Sequence, residues 1–150
     1  LLCGGAGGFT HPDFSKRAGS AADYLVTAAL WHPQTGYPKA VEYARRLERD
    51  FGIQPDYHGA EAHAALTVVA EALRRAESLS PKKIRTALGR SNLKTIFGPV
   101  AFYSYGDYER QNSIPTLVMQ FVRGQSAVIW PTGIANGKFK PPPDWVRERP

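Results

Sequence analysis

The sequence opens LLCGGAGGFTHPDF, and its chemistry question sits in Gly4, Gly5, Ala6, Gly7 and Gly8, followed by Phe9 and Thr10. Glycines behind a short apolar run let backbone take positive φ, or come within contact distance of something else. That something is a phosphate, a small solute or another stretch of protein. A phosphate loop ends in Gly-Lys-Ser/Thr, and no lysine follows Gly8. A dinucleotide fingerprint begun at Gly5 would need glycine where Thr10 stands, and the nucleophile elbow G-x-S-x-G is absent. The histidines are His11, His32, His58 and His63. On a helix, His58 and His63 point about 140° apart, unlike the i, i+4 pair of a zinc helix. Each histidine therefore reads as structural or as a rim residue rather than a metal ligand. Cys3 has an apolar context and no evident base, and reads as a small buried residue. No catalytic constellation assembles, so the sequence reads as a non-enzyme with no metal or cofactor.

The elements that must position these residues follow from periodicity. Leu1–Cys3 and Tyr24–Leu30 read as short apolar strands, with a turn or short helix at His11–Gly19 between them. Tyr37–Phe51 reads as a helix with Pro38 in its first turn, Gly52 at its C′ position, and Val41, Ala44, Leu47 and Phe51 on one face. Tyr57–Glu77 is a longer helix whose apolar stripe is Ala62, Leu66, Val69 and Leu73, widened by Ala65, Ala72 and Ala76. SLSPKKIRTALG is a third, with Ser80 as N-cap, Pro81 at its first position and Gly89 as its stop. Two short strands are expected around Gly98-Pro99, then a polar loop through SYGDYERQNS. Leu117–Val122 and Ala127–Trp130 form a hairpin around residues 123–126, and a proline-rich tail follows from Pro131. Wide apolar helix faces need a sheet or other helices to cover them. The few strands lie at the two ends, so the chain reads as part of a larger α/β body.

Composition narrows the class further. With 43% hydrophobic and 21% charged residues in 150, the chain has the makeup of a globular domain. Its single cysteine excludes an intrachain disulfide. The net charge of +6 is spread over Arg45, Arg46 and Arg49, over Arg74 and Arg75, and over Lys82, Lys83 and Arg85. Aromatics are not interleaved with these cations as stacking platforms for bases, so they read as solvated helix faces and not as a nucleic-acid surface.

The ordered segments GGAGGFTHPDF, AGSAADYLVTAALWHP, PDYHGAEAHAALTVVAEALRRAESLSPKKIRTAL, FGPVAFYSYGD and LVMQFVRGQSAVIWP carry a resemblance. Together they resemble the C-terminal part of a type I periplasmic binding protein, of the branched-chain-amino-acid substrate-binding kind that serves ABC transporters. The resemblance covers nearly all of the chain outside the tail. Its most specific piece is FGPV followed by Q-F-x-x-G-x-x-x-x-x-W-P. It implies a partial two-lobed α/β fold with parallel sheets flanked by helices. Residues 1–32 would belong to the second lobe and end in a hinge crossover. Residues 33–115 would belong to the first lobe, residues 116–130 would cross back into second-lobe strands, and residues 131–150 would form the tail. The family segments that precede the equivalent of Leu1 build much of both sheets.

The resemblance also implies a site. The loop equivalent to Gly4–Thr10 lines the family's solute cleft, where glycines bring backbone N–H groups to a carboxylate. Gly5, Ala6, Gly7, Gly8, Phe9 and Thr10 are thereby implied as ligand-binding. Trp31 and His32 join them at a crossover, and Tyr57 and His58 at the start of the long helix. Read from the residues alone, Trp31 is equally a hinge-packing residue, Tyr57 a helix-start core aromatic and Phe9 a staple. Amino-acid-binding members place an acidic side chain at the position of Ala6, and alanine cannot pair with an ammonium group. The implied solute is an amino acid whose cation is met elsewhere, or an aromatic or aliphatic acid without one. The implied role is solute capture by lobe closure, with an ABC permease as partner. The implied location is periplasmic or extracellular, with a lipid anchor as an option and the signal segment outside this chain. Two alternatives stand beside it: a fragment that binds no solute, as a proteolytic core, a truncated gene product or an exchanged homodimer, and the ligand-sensing domain of a receptor.

Overall fold

The computed structural model describes residues 3–5 and 7–144. Along the chain run β1 (Cys3–Gly4), α1 (Phe14–Ala18), β2 (Val26–Ala29), α2 (Ala40–Phe51), α3 (Tyr57–Ala76) and α4 (Pro81–Gly89). There follow β3 (Asn92–Thr95), β4 (Gly98–Ala101), β5 (Tyr103–Tyr105), β6 (Tyr108–Gln111), β7 (Leu117–Val122) and β8 (Gln125–Trp130). Contacts divide the chain into two units, Leu1–Gly36 with Val41–Asp56 and Pro115–Pro150, and Tyr37–Ala40 with Tyr57–Ile114.

The first unit is built on a mixed sheet ordered β1-β2-β7-β8. β1 and β2 run parallel, with Gly4 opposite Thr27, while β2–β7 and β7–β8 are antiparallel. Alternation along β7 sends Leu117, Met119 and Phe121 to one face, where they close a core with Ala22, Leu25, Ala29 and Val128. Phe9, Phe14, Ala18 and Ile134 pack against that core. Gln120 lies between those positions and is 1% exposed. Its Nε2 donates to the Lys140 carbonyl at 2.7 Å, and its Oε1 accepts from the Lys140 N–H at 2.8 Å. The β7–β8 connection is tighter than its four-residue expectation. Val122 pairs with Gln125, which leaves Arg123 (φ 52°) and Gly124 (φ 73°) as a two-residue turn with both φ positive. Cys3, expected buried, is exposed, because β1 is the edge of the sheet.

α2 begins at Ala40 and not at Tyr37, because Lys39 takes φ 60° and breaks the helical run behind Pro38. It ends as expected: Gly52 has φ 65° and its N–H donates to the Glu48 carbonyl at 2.9 Å. Ala40 and Ala44 are buried, whereas Val41 and Phe51 of the expected apolar face are exposed.

In the second unit, α3 also buries a different stripe from the one its large residues suggest. Ala60, Ala64, Val68 and Ala72 are buried at i, i+4 spacing, while Leu66 is 71% exposed and Val69 and Leu73 are exposed with it. Small side chains let α4 and β3 approach the helix closely. Arg75 ties the ends together: Nη1 donates to the Ala87 carbonyl and Nη2 to Ser91 Oγ, both at 3.0 Å. β3 and β4 pair around Ile96 and Phe97, not around Gly98-Pro99. Thr95 Oγ1 fastens that turn, donating to the Gly98 carbonyl at 2.8 Å and accepting from the Phe97 N–H. Pro99 is tolerated within β4 because the pair has open edges. Gly98 has φ 129° with the Tyr37 ring and Ile114 against it, so only glycine fits. The expected polar loop is a second hairpin, β5–β6, exposed throughout and turned at Gly106.

Candidate functional site

The glycine loop leaves the end of β1 in the first unit. Thr27 of the neighbouring strand holds its start, donating from Oγ1 to the Gly5 carbonyl at 2.9 Å. Gly7 takes φ 87° and ψ −115°, a conformation closed to residues with a Cβ. Gly8–Thr10 then makes one 3-10 turn. The Thr10 N–H and Oγ1 both donate to the Gly7 carbonyl at 2.9 Å, and the His11 N–H donates to the Gly8 carbonyl at 3.3 Å. The loop is thus fastened through its carbonyls, and the N–H groups of Gly8 and Phe9 make no hydrogen bond among the described residues. An added Cβ at Gly5, Gly7 or Gly8 would meet nothing within 4 Å, so this surface is open. Ala6 lies outside the described residues.

Phe9 anchors the loop from beneath. Its ring lies edge-on to Phe14 with centroids 5.2 Å apart, and Phe14 is edge-on to Phe121 at 5.3 Å. A Cβ placed on Gly4 would sit 2.7 Å from the Phe9 ring, so Gly4 is what lets that ring close under the strand.

Trp31 and His32 follow β2 and are both buried. Trp31 packs edge-on to Tyr43 of α2, with centroids 6.1 Å apart. The Gln34 N–H donates to His32 Nδ1 at 3.2 Å, so the ring proton belongs on Nε2, which lies 3.1 Å from Ser126 Oγ and donates to it. Burial lowers the His32 pKa from 6.5 to about 4, which keeps the ring neutral at physiological pH. Tyr57 and His58 belong to the second unit, where their rings stack at 3.9 Å at the first turn of α3. The structure therefore brings Gly5, Gly7, Gly8, Phe9 and Thr10 together around one loop, holds Trp31 and His32 as buried supports of β2, and carries Tyr57 and His58 on a separate unit. Sequence reasoning missed Thr27 and Ser126. Thr27 had a signal, as the polar residue in the apolar run YLVTAAL; Ser126 had none. Among the described residues, no group of three His, Cys, Asp or Glu side chains converges as metal ligands.

Residues 3–126 match the sequence profile of a family described as periplasmic binding protein. The chain belongs to the periplasmic binding protein family. Solved structures share its fold. A putative branched-chain amino acid ABC transporter protein from Silicibacter pomeroyi superposes with TM-score 0.78 at 17% identity, over 95% of this chain and 40% of its own. A leucine binding protein from Thermotoga maritima MSB8 superposes with TM-score 0.64 at 21% identity, over 84% of this chain and 35% of its own. A solute binding protein of an ABC transporter from R. palustris, in complex with benzoate, gives TM-score 0.59 at 15% identity, over 79% and 34%. The chain thus spans well under half the length of these relatives. The mixed α/β architecture is that of the type I periplasmic binding proteins among these solved structures.

Proposed function

We propose that the chain acts in the substrate-binding component of an ABC transporter and takes a small carboxylate-bearing solute at the Gly5–Thr10 loop. The observation that carries this reading is the way the loop is held. Carbonyls are consumed internally by Thr27, Thr10 and His11, and N–H groups at Gly8 and Phe9 are left to meet an anion. Position 6 holds alanine, which offers no charge to an ammonium group. The favoured solute is therefore an acid without an α-ammonium group, as benzoate is in the R. palustris relative. Loaded protein would then dock on a membrane permease, the usual output of such capture.

Titration calorimetry with benzoate, simple aliphatic acids, leucine and isoleucine tests the reading. Benzoate-class binding that Gly7→Val abolishes is the expected result. Tight leucine binding with no affinity for the simple acids would refute the choice of solute. Acid binding untouched by Gly7→Val would refute the loop as the site.

A further inference from the structure

The cations of this chain are not evenly placed. Between Arg74 and Lys94 there are seven, against Glu77 as the sole acid, and α4 contains no acidic residue. Some arginines of the chain find carboxylates: Arg17 with Asp13, Arg49 with Asp50, and Arg74 itself with Glu71. Lys82, Lys83 and Arg90 have no carboxylate within ion-pair distance among the described residues. Their spacing explains why their charges accumulate in one place. Lys83, Thr86 and Ala87 fall at i, i+3 and i+4 on one face of α4, and Arg90 follows as its C-cap residue. That face turns toward the last turn of α3, and between them lies a cleft of about 550 Å³ lined by Arg75, Lys82, Lys83, Thr86 and Arg90 with two alanines.

Four cations around a cleft without a lining carboxylate repel one another, an arrangement that an anion relieves. Arg75 is already committed through its hydrogen bonds to Ala87 and Ser91 and its 3.6 Å approach to Glu71, so it contributes a rigid wall. Lys82, Lys83 and Arg90 are exposed and keep their donors for a ligand. The matching chemistry is a phosphate-type oxyanion. Leu79 indicates its source: it stands three residues before Lys82, on the loop entering α4, and is 85% exposed. A bare leucine close in sequence to unpaired cations is the pairing that inserts at the boundary between lipid headgroups and acyl chains. We propose that the α3–α4 cleft seats headgroup phosphates of an anionic membrane surface. This surface lies in the second unit, and its function does not depend on the solute reading.

Vesicle co-sedimentation of the 150-residue chain tests the proposal, with phosphatidylglycerol-containing and pure phosphatidylcholine vesicles at low and high salt. Each cation near an anionic surface is worth about fivefold in partitioning. The triple variant K82Q/K83Q/R90Q should then lose on the order of 100-fold on anionic vesicles. K16Q/R45Q/R46Q removes equal charge from the other unit and should lose little. Leu79→Ser should weaken binding with the cations intact. Equal losses in the two triple variants would reduce the effect to net charge and overturn the proposal. So would equal binding to phosphatidylcholine, which would mark adhesion of exposed apolar helix faces. Binding of inorganic phosphate without vesicle binding, or equal affinity for a DNA duplex, would overturn the membrane as the source.

Discussion

Acidification should destabilise this protein through His32. The ring is 7% exposed, accepts at Nδ1 from the Gln34 N–H, and donates at Nε2 toward Ser126. A second proton would have to enter at Nδ1, where a donor already points, and the charge would be buried. The folded pKa is about 4 against 6.5 for the exposed ring. The unfolded chain therefore takes up the proton first as pH falls. Stability from this residue is complete above pH 6.5, declines as pH drops toward 4 and levels off below that. At roughly 1.4 kcal/mol per pKa unit, the loss across that window is about 3 kcal/mol. Urea unfolding at several pH values between 8 and 4, for the wild type and His32→Asn, measures it. Asparagine keeps an acceptor near Gln34 and cannot titrate, and the other histidines are common to both proteins. The difference between the two stability curves should change by about 3 kcal/mol, with its onset near pH 6.5. Parallel curves, or a His32 ring that titrates near 6.5 by NMR, would refute the reasoning.

Three further outcomes follow from packing and backbone. Gly4→Ala drives a methyl into the Phe9 ring and should cost about 1–3 kcal/mol, lowering Tm by roughly 2–4 °C per kcal/mol. Thermal melts should show that Gly4→Ala adds almost nothing once Phe9 is alanine. Arg123→Asn should raise stability by about 0.5–1 kcal/mol in urea titrations, since asparagine accepts the positive φ of the β7–β8 turn more readily than arginine. On α3, Ala72→Leu should cost about 1–3 kcal/mol, while Leu66→Glu should stay within about 0.5 kcal/mol of wild type in denaturant melts. Reversed costs would show that the helix buries its large-residue stripe after all.

The sequence announced some elements clearly and hid others for physical reasons. The β7–β8 pair was legible because Leu117, Met119 and Phe121 alternate and Gly124 marks the turn. α3 was legible as a helix, but its buried face was not. Periodicity reports where large apolar residues align, whereas burial here follows Ala60, Ala64 and Ala72, whose small size permits a close neighbour. The start of α2 depended on the backbone of Lys39, which no side-chain pattern reveals. β5–β6 escaped notice because Tyr103, Tyr105 and Tyr108 are all exposed, so no alternation of burial betrays the strands. At the candidate site, the glycines were visible at once. The partners that fix them were not, because Thr27 reaches Gly5 across 22 positions and Ser126 reaches His32 across 94.

The clasp between Gln120 and Lys140 has a consequence for anyone who wishes to manipulate this molecule. A side-chain amide presents its donor and acceptor as a peptide unit does, so one glutamine holds a length of tail as a neighbouring strand would. Glutamate has the same shape, yet at neutral pH it would aim a negative oxygen at the Lys140 carbonyl and release that segment, while protonation would let it return. Exchanging one heavy atom, nitrogen for oxygen, would thus turn a static fastening into a proton-operated latch at the C-terminal end, leaving the hydrophobic interior of the sheet undisturbed.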